Sequence, residues 1–197
     1  LKPGDEVVLH DHRAVPVVRT TGDAQGYLLG LLIGDGVIRE DKTLLSVWPR
    51  AEAVNGGPCT AVMLHVEHLL GTMPHRSDFA GWQAVEGRGE YRIGTAALAR
   101  FAESWGMGRN RKTLTDEIER APAGFAAAVL SGLFEAVGSV QGTQAKGVSV
   151  RHAHRDLALL QRAQRMLARL GINAAIYPER RAAGVSVLPD GRGGRRA

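Results

Sequence analysis

A chain of 197 residues is long enough for one ample core or two small halves sharing a core. Its 44% hydrophobic content and mean hydropathy of −0.12 predict a soluble globular protein, and no apolar run reaches the roughly 18 residues that span a bilayer. The balance is basic, with 25 Lys+Arg against 20 Asp+Glu, a net charge of +5 and a pI near 9.9.

Arg151 to Arg196 carries no lysine, and only Asp156, Glu179 and Asp190 oppose its arginines. Arginine suits phosphate and guanine edges, so a polyanionic partner is one reading. A solvated surface in a protein from a GC-rich genome is the other, and composition does not separate them. No signal peptide is recognisable. One cysteine, Cys59, excludes an internal disulfide and fits a reducing, cytoplasmic setting. Cys59, His65 and His68 do not have zinc spacing, and a structural or surface role is expected for them.

In chain order, Lys2-Pro3-Gly4-Asp5 is a turn signal and Val7 to Leu9 a short strand. His10 and His12 read as strand-end residues rather than ligands. Thr20, Thr21, Gly22 and Asp23 supply N-caps for a helix from Ala24 to about Ile33. Gly34 and Gly36 are expected to end it, as residues that break helices and accept conformations closed to others. Val37 to Arg39 and Leu44 to Trp48 form a hairpin across Glu40-Asp41-Lys42. Asn55 to Pro58 is a loop, and Ala61 to Leu70 has helical periodicity.

A second hairpin is placed within Met73 to Tyr91 and beyond, turning at Gly87-Arg88-Gly89, with a strand at Glu90 to Ile93. The glycines there lack phosphate-loop spacing. Thr95 caps a helix from Ala96 to Trp105, closed by Gly106. The basic loop Arg109 to Lys112 and the short helical stretch Asp116 to Glu119 follow.

Pro122 opens a second apolar helix, Phe125 to Phe134. Gly138 to Gln141 and Val148 to Arg151 make a third hairpin. Asp156 to Leu170 is amphipathic, with Leu157, Leu160, Ala163, Gln164, Leu167 and Leu170 on one side. Arg162, Arg165 and Arg169 fall on the other. Gly171 ends this helix, Ile172 to Tyr177 and Val185 to Leu188 are strands, Pro189-Asp190-Gly191 is a turn, and Gly193 to Ala197 is a disordered tail.

Helix, two strands, helix, two strands, helix thus occurs once in full, then restarts and stops. An internal duplication of this kind points to a pseudo-dimer. Gly30 and Gly132 hold one motif slot, Gly34 and Ala136 the next, so the two apolar helices can approach closely. That would set Asp35 beside Val137. Paired carboxylates at such a place could share divalent cations beside a phosphate. Buried core helices alone would explain the leucines and glycines, but not an aspartate between two glycines before a hairpin.

The segments LLGLLIGDG and LSGLFEAVG resemble the paired motifs of the LAGLIDADG homing endonucleases, above all the intein-borne single-chain members. KPGDEV resembles the end of an intein's N-terminal splicing block, and the whole is similar to ribonucleotide-reductase inteins. The resemblance implies an α+β fold of two pseudo-symmetric αββαββα halves, here with the second half truncated. The divisions are then 1–19 as a splicing-domain remnant, 20–121 as the first half and 122–197 as the second. It implies a monomer whose strands form a saddle on double-stranded DNA, with no membrane association, and Mg²⁺-dependent hydrolysis of both strands.

Asp35 matches the metal-binding acid. Lys112, in the setting Lys112-Thr113-Leu114-Thr115-Asp116-Glu117-Ile118, matches the basic residue near the scissile phosphates. Val137 replaces the second acid, and Glu135, two residues earlier, is oriented differently. This copy is therefore expected to be cleavage-impaired while still binding DNA. A non-cleaving DNA-binding or RNA-maturase module, and an intein fragment without activity, are the alternatives. No splicing nucleophile stands at the start and no His-Asn pair at the end, so the chain as given is not expected to splice. Arg39, Lys42, Arg50, Gln141, Lys146, Arg151 and His152 are candidate DNA contacts, with strand register left to decide among them.

Overall fold

A computed structural model of the chain describes residues 2, 22–49, 58–77, 79–143, 145 and 147–177, with 58–60, 188–189 and 195–196 as backbone only. The order is α1 (Gly26–Asp35), β1 (Gly36–Ile38), β2 (Thr43–Val47), α2 (Pro58–Gly71), β3 (Gln83–Val85), β4 (Glu90–Thr95), α3 (Ala96–Ser104) and α4 (Asp116–Arg120). Then come α5 (Ala123–Val137), β5 (Gly138–Thr143), β6 (Gly147–His152), α6 (Leu157–Arg169), β7 (Leu188–Pro189) and β8 (Arg195–Arg196). This is a mixed helix and sheet architecture. Among the described residues, no helix is long and apolar enough to cross a membrane.

Four strands make one antiparallel sheet in the order β1-β2-β4-β3, and β5 and β6 pair as a separate hairpin. The expected hairpin at Gly87 to Gly89 joins β3 to β4. The core gathers α1 and α5 with the inner face of the larger sheet, where Ile38, Leu45 and Ile93 are buried. Val66 and Leu69 of α2, Leu98 and Ala102 of α3, and Leu159, Ala163 and Met166 of α6 complete it. Trp105 stacks on Phe125 with ring centroids 4.1 Å apart.

Several expectations are corrected. The α1 helix is entered through the 3-10 turn Asp23–Gln25 and shows no side-chain cap. It does not stop at Gly34 but continues to Asp35, and Gly34 lies inside the helix against Ala136. Gly36 and Gly138 end the two apolar helices in extended backbone (φ −89°, ψ 166° and φ −76°, ψ 158°), not in a conformation reserved for glycine. Their small size is required instead. A methyl on Gly36 would stand 2.5 Å from Leu32 Cδ1 and 2.7 Å from the Leu32 carbonyl oxygen, and one on Gly138 would collide with the Phe134 carbonyl.

The expected Thr95 cap forms, and Asp156 caps α6. The Thr95 hydroxyl accepts from the Ala97 amide at 3.1 Å, and the Asp156 carboxylate from those of Ala158 and Leu159 at 2.9 and 3.3 Å. In α6 the buried stripe is Leu159, Ala163 and Met166, and Leu157 is exposed, so the inward face is rotated from the predicted one.

Ile172 to Tyr177 forms no strand. Arg195–Arg196 of the expected disordered tail pairs antiparallel with Leu188–Pro189. The predicted elements before Gly22, apart from Lys2, and the positions 185–187 lie outside the described residues.

Candidate nucleic-acid interface

The α1 and α5 helices run parallel and in contact. Positions 26, 30 and 34 of α1 face Phe125, then Val129 and Leu133, then Ala136 and Val137 of α5. A methyl on Gly30 would stand 2.5 Å from the Leu133 amide nitrogen and closer still to the Val129 carbonyl oxygen. One on Gly132 would stand 3.0 Å from the Leu31 nitrogen and collide with the Tyr27 carbonyl. Gly34 sits against the Ala136 methyl. Small residues at every crossing level bring the backbones together, so the C-terminal ends of both helices lie side by side.

Those ends carry Asp35 and Val137, and each helix passes directly into the first strand of its hairpin. Lys112 reaches the same place from the loop before α4. Its Nζ donates to the carbonyl oxygens of Gly34 at 3.1 Å and Gly36 at 2.8 Å. A cation bonded to the last carbonyls of a helix also offsets its dipole. Thr115 fixes this loop by donating to the Trp105 carbonyl at 2.6 Å and capping α4.

Burial holds the Lys112 ammonium below its ordinary pKa, and the Asp35 charge opposes that shift. Partial desolvation raises the Asp35 carboxyl although the residue remains exposed, and Lys112 pulls it back. The two groups therefore interact electrostatically as well as sharing the helix end.

Glu135 is exposed and two residues before Val137, roughly 200° round the helix. Its charge acts on Tyr27, whose phenol is pushed up to about 12 by burial first and by Glu135 second.

The donor set does not fit a divalent cation held by two acids. Position 137 is apolar, and Lys112 takes the carbonyls of Gly34 and Gly36. Among the described residues no three His, Cys, Asp or Glu side chains gather into a metal-holding group. The Cys59 side chain lies outside the described residues. His65 packs edge-on against Tyr27 at 4.7 Å.

Strand register sorts the basic residues. In the larger sheet, Leu44 faces Val37 and Gly94, and Ser46 faces Arg92, which in turn faces Gln83. These residues form the outer face, opposite Ile38, Leu45 and Ile93. Arg39 and Lys42 border the same face at the β1–β2 turn, closed by the Arg39 amide donating to the Lys42 carbonyl at 2.9 Å. Glu40 in that turn is paired with Arg109 at 2.5 Å.

In the β5–β6 hairpin Ser139 faces Arg151 and Gln141 faces Ser149, giving one polar face. Arg151 Nε donates to the Ser149 hydroxyl at 3.1 Å. His152 is on the opposite face with Val140, Val148 and Val150, and packs on Phe134. It is not brought together with Gln141 and Arg151. Arg50 and Lys146 lie outside the described residues.

The arginines of α6, which composition left open between a polyanionic partner and a solvated surface, are engaged within the molecule. Arg162 pairs with Asp116 and Glu119, Arg165 with Glu119, and Arg169 donates to the Glu119 and Ala121 carbonyls. They clasp α6 to α4.

Sequence reasoning missed Arg92 and its partner Glu90. The available signal was spacing, since acid and base two apart on a strand share a face.

No curated protein matches the chain. A match to a family does exist, and it covers α5, β5, β6, α6 and β7 while leaving Asp35 and Lys112 outside: residues 124–191 match the family described as LAGLIDADG-like domain.

Proposed function

We propose that the chain is a nucleic-acid-binding scaffold of the LAGLIDADG type, descended from a homing endonuclease and impaired in cleavage. The observation that carries this reading is the junction of α1 and α5. Two tightly packed parallel helices present equivalent positions, Asp35 and Val137, at the start of two hairpins; the first opens a sheet whose outer face carries Ser46, Gln83 and Arg92, and the second has a polar face of Ser139, Gln141, Ser149 and Arg151. In this reading 20–121 and 122–197 are pseudo-symmetric halves of a monomer, and the polar faces lie on double-stranded DNA. The segment 1–19 is a remnant of an intein of the ribonucleotide-reductase kind.

Val137 supports a binding role over a cutting one. Hydrolysis of both strands with Mg²⁺ belongs to the form with an acid at each helix end, and this chain has one. A maturase-like RNA role uses the same scaffold without cleavage.

The test starts with selection of a duplex from a random pool by the unaltered chain. Binding should weaken steeply with salt, because phosphate contacts release counterions. A plasmid carrying the selected site should stay uncut with Mg²⁺, and the Val137→Asp variant should cut it. Robust cutting by the unaltered chain overturns the impairment. Failure to retain duplex DNA at low salt overturns the DNA-binding scaffold, and retention of structured RNA alone assigns the maturase role.

A further inference from the structure

Arg92 stands in the middle of the larger sheet's outer face, on β4, between Ser46 of β2 and Gln83 of β3. Its guanidinium is braced side-on by Glu90, two residues earlier on the same strand. Nε donates to Oε1 at 2.6 Å and the terminal NH2 donates to Oε2 at 3.1 Å. The Glu90 carboxylate is 3% exposed, whereas the Arg92 side chain is 36% exposed. The acid is buried, and the base it holds is partly exposed.

This arrangement uses one edge of the guanidinium and leaves the other. An arginine has five N–H donors in a rigid plane. With Nε and one N–H of NH2 committed to Glu90, the end-on fork of NH1 and NH2 is not used by that brace, on a side chain that is 36% exposed. Such a fork matches two acceptors side by side, and guanine offers that pair, O6 and N7, in the major groove of duplex DNA. The brace also lowers the ordering cost, because the long side chain is held before any ligand arrives.

The neighbours leave this fork unobstructed by competing side-chain amides. Gln83 turns its amide back to the Ala80 and Trp82 carbonyls at 3.0 and 3.1 Å. The hydrogen bond from Arg92, first among its causes, holds the Glu90 carboxyl below its usual range, with a smaller contribution from Ser46. The brace therefore stays ionised at neutral pH.

We propose that Arg92, positioned by Glu90, reads a guanine in the major groove of duplex DNA laid across this sheet. The inference rests on the DNA-binding reading above and adds one specificity-determining residue and its base. Arg92 touches the ligand, and Glu90 is a positioning residue.

The experiment is parallel selection of a random duplex pool by the full chain and by its Arg92→Ala, Arg92→Lys and Glu90→Gln variants, with melting temperatures recorded. The unaltered chain should enrich a motif with an invariant G at one position. Arg92→Ala should lose that preference alone, by roughly tenfold to hundredfold in relative affinity, with the rest of the motif retained. Arg92→Lys should not rescue it, since an ammonium lacks the fork. Glu90→Gln should blur the same position.

A purely structural ion pair at this surface would leave the motif intact and alter only stability. A uniform loss on all sequences with a shallower salt slope would make Arg92 a phosphate contact. Either result overturns the proposal while leaving the scaffold reading in place. Failure of the unaltered chain to bind duplex DNA overturns both.

Discussion

At Gly30 the side chain is absent because another backbone occupies its place. Gly30→Ala should cost about 1–3 kcal/mol, and more if the helices cannot separate. Gly71, at the end of α2, would carry a methyl with nothing within 4 Å. Gly71→Ala should therefore stay within about 0.5 kcal/mol of the parent. Urea denaturation of both variants checks the pair, and equal effects would exclude the close-approach account.

A second residue-scale prediction concerns His152. Its ring lies 5.9 Å from Phe134 and 5.8 Å from His154, and neither ring nitrogen has a hydrogen-bond partner among the described residues. Burial first, and His154 second, hold its imidazole below the ordinary 6.5. The Val137 backbone opposes this shift, from a position that does not complete a hydrogen bond. A base depressed in the fold binds more protons when unfolded. The stability it contributes is present above the unfolded pKa and is lost as pH falls through the folded value. Melting temperature should decline below pH 6.5 in the parent, and His152→Leu should decline less. Identical profiles would remove His152 as the cause.

At the scale of elements, the clasp of α6 on α4 changes how the arginine-rich stretch is understood. Arg162, Arg165 and Arg169 are directed at Asp116, Glu119 and two carbonyls. Arg165 and Arg169 are exposed, and exposed pairs contribute about 0.2–1 kcal/mol each, so single variants at these two positions should move the urea midpoint little. The triple Arg→Ala variant should raise hydrogen exchange in α4 and α6 together, with α1 and α5 unchanged. Exchange that rises in α6 alone would show that the clasp does not couple the two.

The clasp also bears on the candidate site. The α4 helix follows the loop whose Lys112 is bonded to the end of α1, so α6 supports that loop through α4. The periodicity of α6 was legible in the sequence, but the target of its arginines was not. Residues more than forty positions away in the chain supply the acids.

For the whole molecule, most of the first helix-strand-strand-helix series was readable from glycine spacing, alternation and caps such as Thr95. The series after α5 was readable through α6. The strand expected at Ile172 to Tyr177 was not formed, and within it the Ala174 carbonyl accepts from the Gln164 side chain of α6 at 2.7 Å. The motif slots of Asp35, Val137, Gly30 and Gly132 were visible in the sequence by repetition alone.

The sequence by itself determined which residues are small, which acid is missing and where each hairpin follows its helix, since these are local properties of composition and order. Only the tertiary structure decided that Gly36 is kept for closeness rather than for its backbone angles. It also decided that Lys112 sits on the end of α1, that Arg92 is held by Glu90, and that the α6 arginines are spent within the molecule. Those outcomes depend on strand register and on contacts between distant segments, where a shift of one residue reverses every face.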